Sequence, residues 1–149
     1  MNTNIATTKG QSDRLLRCGV SADTADMCWT RFESDGEKYE QLSVMDESTY
    51  EFASLSPIPA WSLSALLGLL PKEIKVDESP YDEIQKYGLL IYPYMGGWQV
   101  HYQYCGDDEC HCLKYVYGAD LIEACVKAIE WLSDDGYHLN GIEKGGEDV

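Results

Sequence analysis

The residues best suited to chemistry lie in one short segment, from position 105 to position 112. It reads Cys-Gly-Asp-Asp-Glu-Cys-His-Cys, so three thiols and one imidazole fall within eight residues. Cysteine and histidine are the usual ligands of structural zinc, which takes four of them in tetrahedral geometry. The candidate metal ligands are therefore Cys105, Cys110, His111 and Cys112.

The spacing within this segment disfavours a zinc site. Structural zinc sites usually draw their ligands from two C-x2-C pairs, whereas this run is C-x4-C-H-C. On an extended chain Cys110 and Cys112 face one way and His111 the other. Further ligands would have to come from distant positions such as Cys28 or His101. The spacing favours a polar hairpin loop with incidental thiols, and we expect no cofactor.

Catalytic signatures are missing from the sequence. It contains no phosphate-binding glycine loop, no H-E-x-x-H and no G-x-S-x-G. A nucleophilic pair could be assembled from Cys105 or Cys110 with His101, but residues so close in sequence are rarely the pair that catalysis uses. We therefore predict a protein that is not an enzyme.

The charge excludes two classes of partner. There are 26 acidic and 11 basic side chains among 149 residues, a formal net charge of -15. Such a surface repels nucleic-acid phosphates and anionic lipids, and the basic residues form no stripe. We expect neither direct nucleic-acid binding nor membrane binding.

The localisation predicted from the sequence is cytoplasmic. The N-terminus lacks the apolar core of a signal peptide. The most apolar run, 58–70, is shorter than the ~20 residues that cross a bilayer. All six cysteines are then expected to be free thiols, because the cytosol keeps thiols reduced.

Two helices are predicted from their caps and apolar spacing. Ser62 caps a helix whose leucines recur at i, i+3, i+4 and i+7 up to Leu70, and Pro71 ends it. Asp120 caps a longer helix, with Glu123 placed for a capping box. The buried stripe of that helix is Ile122, Cys125, Val126, Ile129 and Leu132.

One hairpin and a third strand complete the predicted core. Aromatic and β-branched residues at 89–94 and 98–104 flank a Gly-Gly turn, and a strand at 113–117 follows. The predicted fold is a single α+β domain over residues 12–138, with a small antiparallel three-stranded sheet packed against two or more helices. Residues 1–11 and 139–149 are expected to be disordered tails.

The N-terminal half carries weaker signals. Ser12 is the expected cap of a first helix that Gly19 would end. A hairpin is expected over 28–44 and a surface loop over 46–57.

The aromatic side chains of the hairpin are the candidate interface. Rings two positions apart on a strand share one face of the sheet. Helices could cover such a face; if it is exposed, it suits a protein interface, where tyrosine and tryptophan are enriched. The interface candidates are Tyr92, Tyr94, Trp98, Tyr102 and Tyr104.

Three stretches together carry a resemblance. They are Leu15-Leu16 with Gly19-Val20 and Thr24 to Cys28, then Pro59 to Leu67 with Leu70-Pro71, then Ala124, Ala128, Trp131 and Leu132. In this order the chain resembles short uncharacterised proteins encoded by Bacteroides and related gut bacteria, often within prophage-like or mobile regions. The resemblance implies a small accessory protein of a mobile element and no reaction or ligand.

Three functions follow as hypotheses. The first is a non-enzymatic protein-interaction role in a phage or mobile element, with an unknown protein partner. The second is an acidic decoy that imitates DNA phosphates and inhibits a DNA-binding protein. Its candidate carboxylates are Glu33, Asp35, Glu37, Asp46, Glu47, Glu51, Asp77 and Glu78. The third is a small zinc-binding module at the Cys/His segment.

Overall fold

The protein is an α+β fold with two antiparallel sheets. A computed structural model describes residues 5–45, 55–76, 85–106 and 109–140. In chain order the elements are α1 (Lys9–Arg17), a 3-10 turn (Ala22–Thr24), β1 (Met27–Ser34), β2 (Glu37–Val44), β3 (Leu55–Ala60), α2 (Leu63–Leu69), β4 (Glu73–Val76), β5 (Gln85–Tyr94), β6 (Gly97–Cys105), β7 (Cys110–Cys112), β8 (Val116–Gly118) and α3 (Leu121–Asp134). The single three-stranded sheet predicted from the sequence is therefore wrong.

The first sheet has the strand order β2-β1-β3. The expected hairpin forms its β1–β2 half, and Asp35 and Gly36 take the left-handed conformations of its turn. Strand β3 occupies part of the segment expected to be a loop. Pro57 and Pro59 argued against a strand here, because proline has no N–H to donate to a neighbouring strand. Strand β3 lies at the edge of the sheet, where proline is tolerated.

The second sheet has five strands in the order β4-β5-β6-β7, with β8 also paired to β6. The predicted Gly-Gly hairpin is confirmed as β5–β6, with Met95 and Gly96 at positive φ in its turn. Of the strand expected at 113–117, only residues 116 and 117 lie in a strand, β8, and the short strand β7 precedes the expected segment. Strand β4 lies in a charged segment where only Ile74 and Val76 turn inward.

Helices α2 and α3 begin at the predicted caps. The Ser62 hydroxyl accepts from the Ala65 N–H at 3.2 Å, and the Asp120 carboxylate accepts from the Glu123 N–H at 2.7 Å. All five residues of the predicted α3 stripe are buried, whereas Leu67 of the α2 stripe is 39% exposed. Both helices are confirmed.

Helix α1 begins earlier than predicted. Thr8 forms a capping box with Gln11, and Ser12, the expected cap, lies inside the helix with its hydroxyl 2.8 Å from that of Thr7. Ala6 and Thr7 are buried, although the sequence assigned residues 1–11 to a tail.

The other predicted tail also begins within the fold. Leu139 is buried, and the Asn140 N–H donates to the Leu69 carbonyl at 2.9 Å. The remaining tail residues, 1–4 and 141–149, lie outside the described residues.

The core lies between α3 and one face of the five-stranded sheet. Helix α3 packs on β6 and β8, and α1 and α2 pack on α3. The largest fully buried side chains include Trp61, Tyr102 and Leu15. Within the described ranges no helix is long and apolar enough to cross a membrane.

Candidate functional site

The five-stranded sheet has an inner face on α3 and an outer face on the opposite side. Along β6, Val100 and Tyr102 enter the core with α3. Because side chains alternate along a strand, Gln99, His101 and Gln103 lie on the outer face. The β5–β6 register places Leu90 and Tyr92 beside them.

Most of the large side chains on this outer face are exposed. Tyr94 is 49% exposed, Tyr115 56%, Tyr117 43% and Leu90 43%, whereas Tyr92 is half-buried. We call the surface formed by these five residues the tyrosine face. It spans β5 and β8 and the segment that leads into β8.

His101 lies beneath the tyrosine face and is 3% exposed. Its ring forms a T-shaped pair with that of Tyr92 at a centroid distance of 5.4 Å, and the ring of Tyr115 lies at 4.8 Å. Its Nε2 is 3.1 Å from the Gln103 Oε1, while its Nδ1 is buried and has no hydrogen-bond partner among the described residues. The two tyrosines therefore cover an imidazole that hydrogen-bonds on one side only.

The predicted interface residues are divided between the two faces of the sheet. Tyr92 and Tyr94 lie on the outer face. Tyr102 is fully buried, its hydroxyl donates to the Pro71 carbonyl at 2.7 Å, and burial raises its pKa. Trp98 and Tyr104 are partly buried and pack against the core. The β5–β6 register explains this division. Leu89 pairs with Tyr102 on the inner face, which leaves Leu90 and Tyr92 on the outer face.

Three residues of the tyrosine face, Leu90, Tyr115 and Tyr117, were missing from the predicted interface. Tyr115 and Tyr117 alternate about Val116 just as Tyr92 and Tyr94 alternate about Pro93. That period of two was the available signal. The structure brings all four rings to one side of the sheet.

The outer face carries few charges for so acidic a protein. Glu73, Lys75 and Lys86 lie at its β4 end. From Gly88 onward, the outer positions of β5, β6, β7 and β8 carry no carboxylate. They are Gly88, Leu90, Tyr92, Tyr94, Gly97, Gln99, His101, Gln103, Cys105, Cys110, Cys112 and Tyr117.

A cleft of about 370 Å³ adjoins the tyrosine face. Tyr115 and Tyr117 form one wall, and α3 contributes Trp131 and the carboxylates Glu130 and Asp134. Two lysines, at 114 and 127, also line it. The cleft thus places aromatic rings and carboxylates side by side.

The structure separates the four candidate metal ligands. Cys105 and Cys110 oppose each other across β6 and β7 and are paired as a disulfide. The expectation of six free thiols is therefore wrong for this pair, because the hairpin register brings the two Cα atoms to 4.1 Å.

The other two candidates, His111 and Cys112, make separate contacts. The His111 Nε2 lies 3.2 Å from Glu109, and the Cys112 sulfur accepts from the Tyr115 hydroxyl at 3.1 Å. In the ranges that the structure covers, no three His, Cys, Asp or Glu residues are grouped to hold a metal ion.

Comparison with known proteins identifies no relative. No protein-family model, curated protein or solved structure matches this chain at a significant level.

Proposed function

We propose that this chain is a non-enzymatic interaction protein whose binding surface is the tyrosine face. The observation that carries the proposal is the contrast between that face and the whole chain. Four tyrosines and a leucine lie on a region of the sheet without carboxylates, in a chain of net charge -15. A partner can cover such a region without taking carboxylates of this chain out of water, a step that carries a desolvation penalty.

The partner we propose is a basic protein that presents arginine side chains. The net negative charge attracts a basic protein over long range. At contact, the guanidinium group of arginine stacks on tyrosine rings more readily than the ammonium group of lysine. The adjoining cleft adds the ring of Trp131 and the carboxylate of Asp134. Its other carboxylate, Glu130, is already paired with Arg14, and two lysines also line the cleft, so the attraction for a cation rests on the net charge and the rings. Charge and aromatic character therefore favour the same cation.

The cellular setting belongs to the same proposal. We propose that the protein acts in the cytoplasm as an accessory protein of a phage or mobile element, where its exposed Cys105–Cys110 disulfide would meet a reducing thiol pool. The support for this setting is the sequence resemblance and the acidic composition described above.

The acidic decoy is the competing hypothesis. Of its candidate carboxylates, Glu33, Asp35 and Glu37 lie at the tip of the β1–β2 hairpin, where Lys38 opposes Glu33. The other five lie outside the described residues. A decoy would bind through carboxylates alone, so it makes a different prediction for the experiment below.

The test uses two synthetic probes of equal length and charge, an oligo-arginine and an oligo-lysine peptide. Calorimetry at low and high salt measures their affinity for the wild-type protein and for Tyr92→Ala/Tyr115→Ala. The matched control is Tyr39→Ala, which removes a tyrosine that is 52% exposed on the other sheet. We expect the arginine peptide to bind several-fold more tightly, and only the double variant to lose that preference.

Two results would contradict the proposal. Equal affinities for the two peptides, both abolished by salt, would favour the decoy. An equal loss in Tyr39→Ala would show that any exposed tyrosine suffices. If the probes behave as expected, capture from lysate with the wild type and the double variant then identifies the partner.

A further inference from the structure

The end of the β6–β7 hairpin carries a chemical group that the proposed binding function does not use. The Cys105–Cys110 disulfide is exposed at both residues. Hydrogen bonds join Gly106 to Glu109 at 2.8 Å and Leu113 to Tyr102 at 2.9 Å. By the alternation of an antiparallel ladder, the cysteines between them form a non-hydrogen-bonded pair, in which side chains approach most closely. The disulfide thus closes the hairpin where solvent reaches its sulfurs.

The two sulfurs of this disulfide have different surroundings. The Gln103 side-chain N–H donates to the Cys105 sulfur at 2.8 Å. The amide oxygen of Gln103 lies 3.1 Å from the Nε2 of His101, and His101 is buried beneath Tyr92 and Tyr115. The buried imidazole thereby holds the amide so that its NH2 group points at the sulfur.

We propose that this disulfide is a thiol–disulfide exchange site for low-molecular-weight thiols, with Cys110 as the sulfur that is modified. The incoming thiolate attacks the Cys110 sulfur and forms a new S–S bond. The bond between Cys110 and Cys105 breaks, and its electron pair leaves on Cys105. Cys105 then takes a proton from solvent, so one thiol and one disulfide give one mixed disulfide and one thiol without any oxidant.

The direction of this step follows from the leaving sulfur. Exchange is faster when the departing thiolate is stabilised, and a hydrogen-bond donor stabilises the charged form. Gln103 supplies such a donor to Cys105. Attack at Cys110 is therefore favoured over attack at Cys105 by about three- to tenfold. This inference is independent of the tyrosine face as a binding surface.

The experiment uses reduced glutathione as the probe on the folded protein. Cys112→Ser serves as the background, so that no third thiol adjoins the disulfide. Samples are quenched at early times with acid and a maleimide and then cleaved at the acidic residues 107–109, which separate the two cysteines. Mass spectrometry then locates glutathione on one cysteine and maleimide on the other.

We expect glutathione mainly on Cys110. In Gln103→Leu the ratio of glutathione on Cys110 to glutathione on Cys105 should fall towards one, and the disulfide should open more slowly. Gln41→Leu, an exposed glutamine of β2, is the matched control and should leave both values unchanged. The site ratio in the Cys112→Ser background tests the proposal even if Gln103→Leu fails to fold.

Three results would overturn the proposal. The first is maleimide labelling of both cysteines before any thiol is added to protein purified without reductant. The second is glutathione mainly on Cys105, or equally on both. The third is an unchanged site ratio in Gln103→Leu.

Discussion

Arg14 of α1 and Glu123 of α3 are joined by two hydrogen bonds, the shorter of 2.6 Å. The same guanidinium also donates to Glu130 two turns further along α3. Two carboxylates on one cation raise the pKa of Arg14, with the hydrogen bond to Glu130 as the largest cause. One arginine therefore fastens the first helix of the chain to the last.

We predict that Arg14→Ala lowers the free energy of unfolding by about 1–2 kcal/mol. Solvent weakens these ion pairs, because the Arg14 side chain is about one-third exposed. A guanidinium that bonds two carboxylates nevertheless contributes more stability than a single surface ion pair. Arg17→Ala is the matched control. Among the described residues Arg17 pairs only with Asp13, at 3.0 Å, and its side chain is 78% exposed, so this substitution should cost less than about 0.5 kcal/mol. Urea unfolding measures both. Equal losses in the two variants would show that the ion pairs of Arg14 with α3 add no stability to the fold.

Short-range signals in the sequence predicted α2, α3 and the β5–β6 hairpin. A capping serine or aspartate, a leucine stripe and a Gly-Gly turn act through neighbouring residues, so they can be read without the fold. Strands β3 and β4 were not predicted, because they form through pairing with strands that are distant in sequence. Pro57 and Pro59 of β3 are tolerated because β3 lies at a sheet edge, and Ile74 of β4 pairs with Tyr87 of β5.

The candidate site was predicted only in part. Tyr92 and Tyr94 could be placed on a shared face from their spacing. That Tyr102 lies on the opposite face depends on the β5–β6 register, which the sequence left open. The pairing of Cys105 with Cys110 depends on the same kind of long-range register, across β6 and β7.

The contact of β8 with α3 predicts a strong effect at one glycine. A Cβ on Gly118 would lie 2.6 Å from the Cα of Ala124, which is backbone in the first turn of α3 and cannot swing aside. We expect Gly118→Ala to destabilise the protein by about 1–3 kcal/mol or more through overpacking. In Gly88→Ala the new Cβ has no atom of the described residues within 4 Å, so the change in stability should be within about 1 kcal/mol. Thermal or urea unfolding of both variants checks the difference, and similar values would refute the close approach.

The buried hydroxyl of Tyr102 predicts a difference between two Tyr→Phe variants. Tyr102→Phe removes a 2.7 Å hydrogen bond and leaves the Pro71 carbonyl without that donor, so we expect a loss of about 1–2 kcal/mol. Tyr94→Phe alters a side chain that is 49% exposed on the tyrosine face and should change stability by less than about 0.5 kcal/mol. Chemical denaturation of the two variants tests this. A neutral Tyr102→Phe would mean that water replaces the hydroxyl.

Cys125 predicts a loss of stability at alkaline pH. Burial within α3 raises the pKa of this thiol to about 12, from an ordinary value near 9.0. The unfolded chain therefore releases this proton at lower pH than the folded one. The stabilisation is complete below pH ~8.5 and is lost as the pH rises towards 12, with a slope of up to about 1.4 kcal/mol per pH unit.

Cys125→Ala should remove the contribution of this thiol to the pH dependence of the unfolding free energy between about pH 8 and about pH 10.5, as measured by urea unfolding. Val126→Ala, the matched control, also truncates a buried α3 side chain but carries no proton, so it should lower stability equally at every pH. A slope that is the same in all three proteins would show that the thiolate forms in the folded state without penalty.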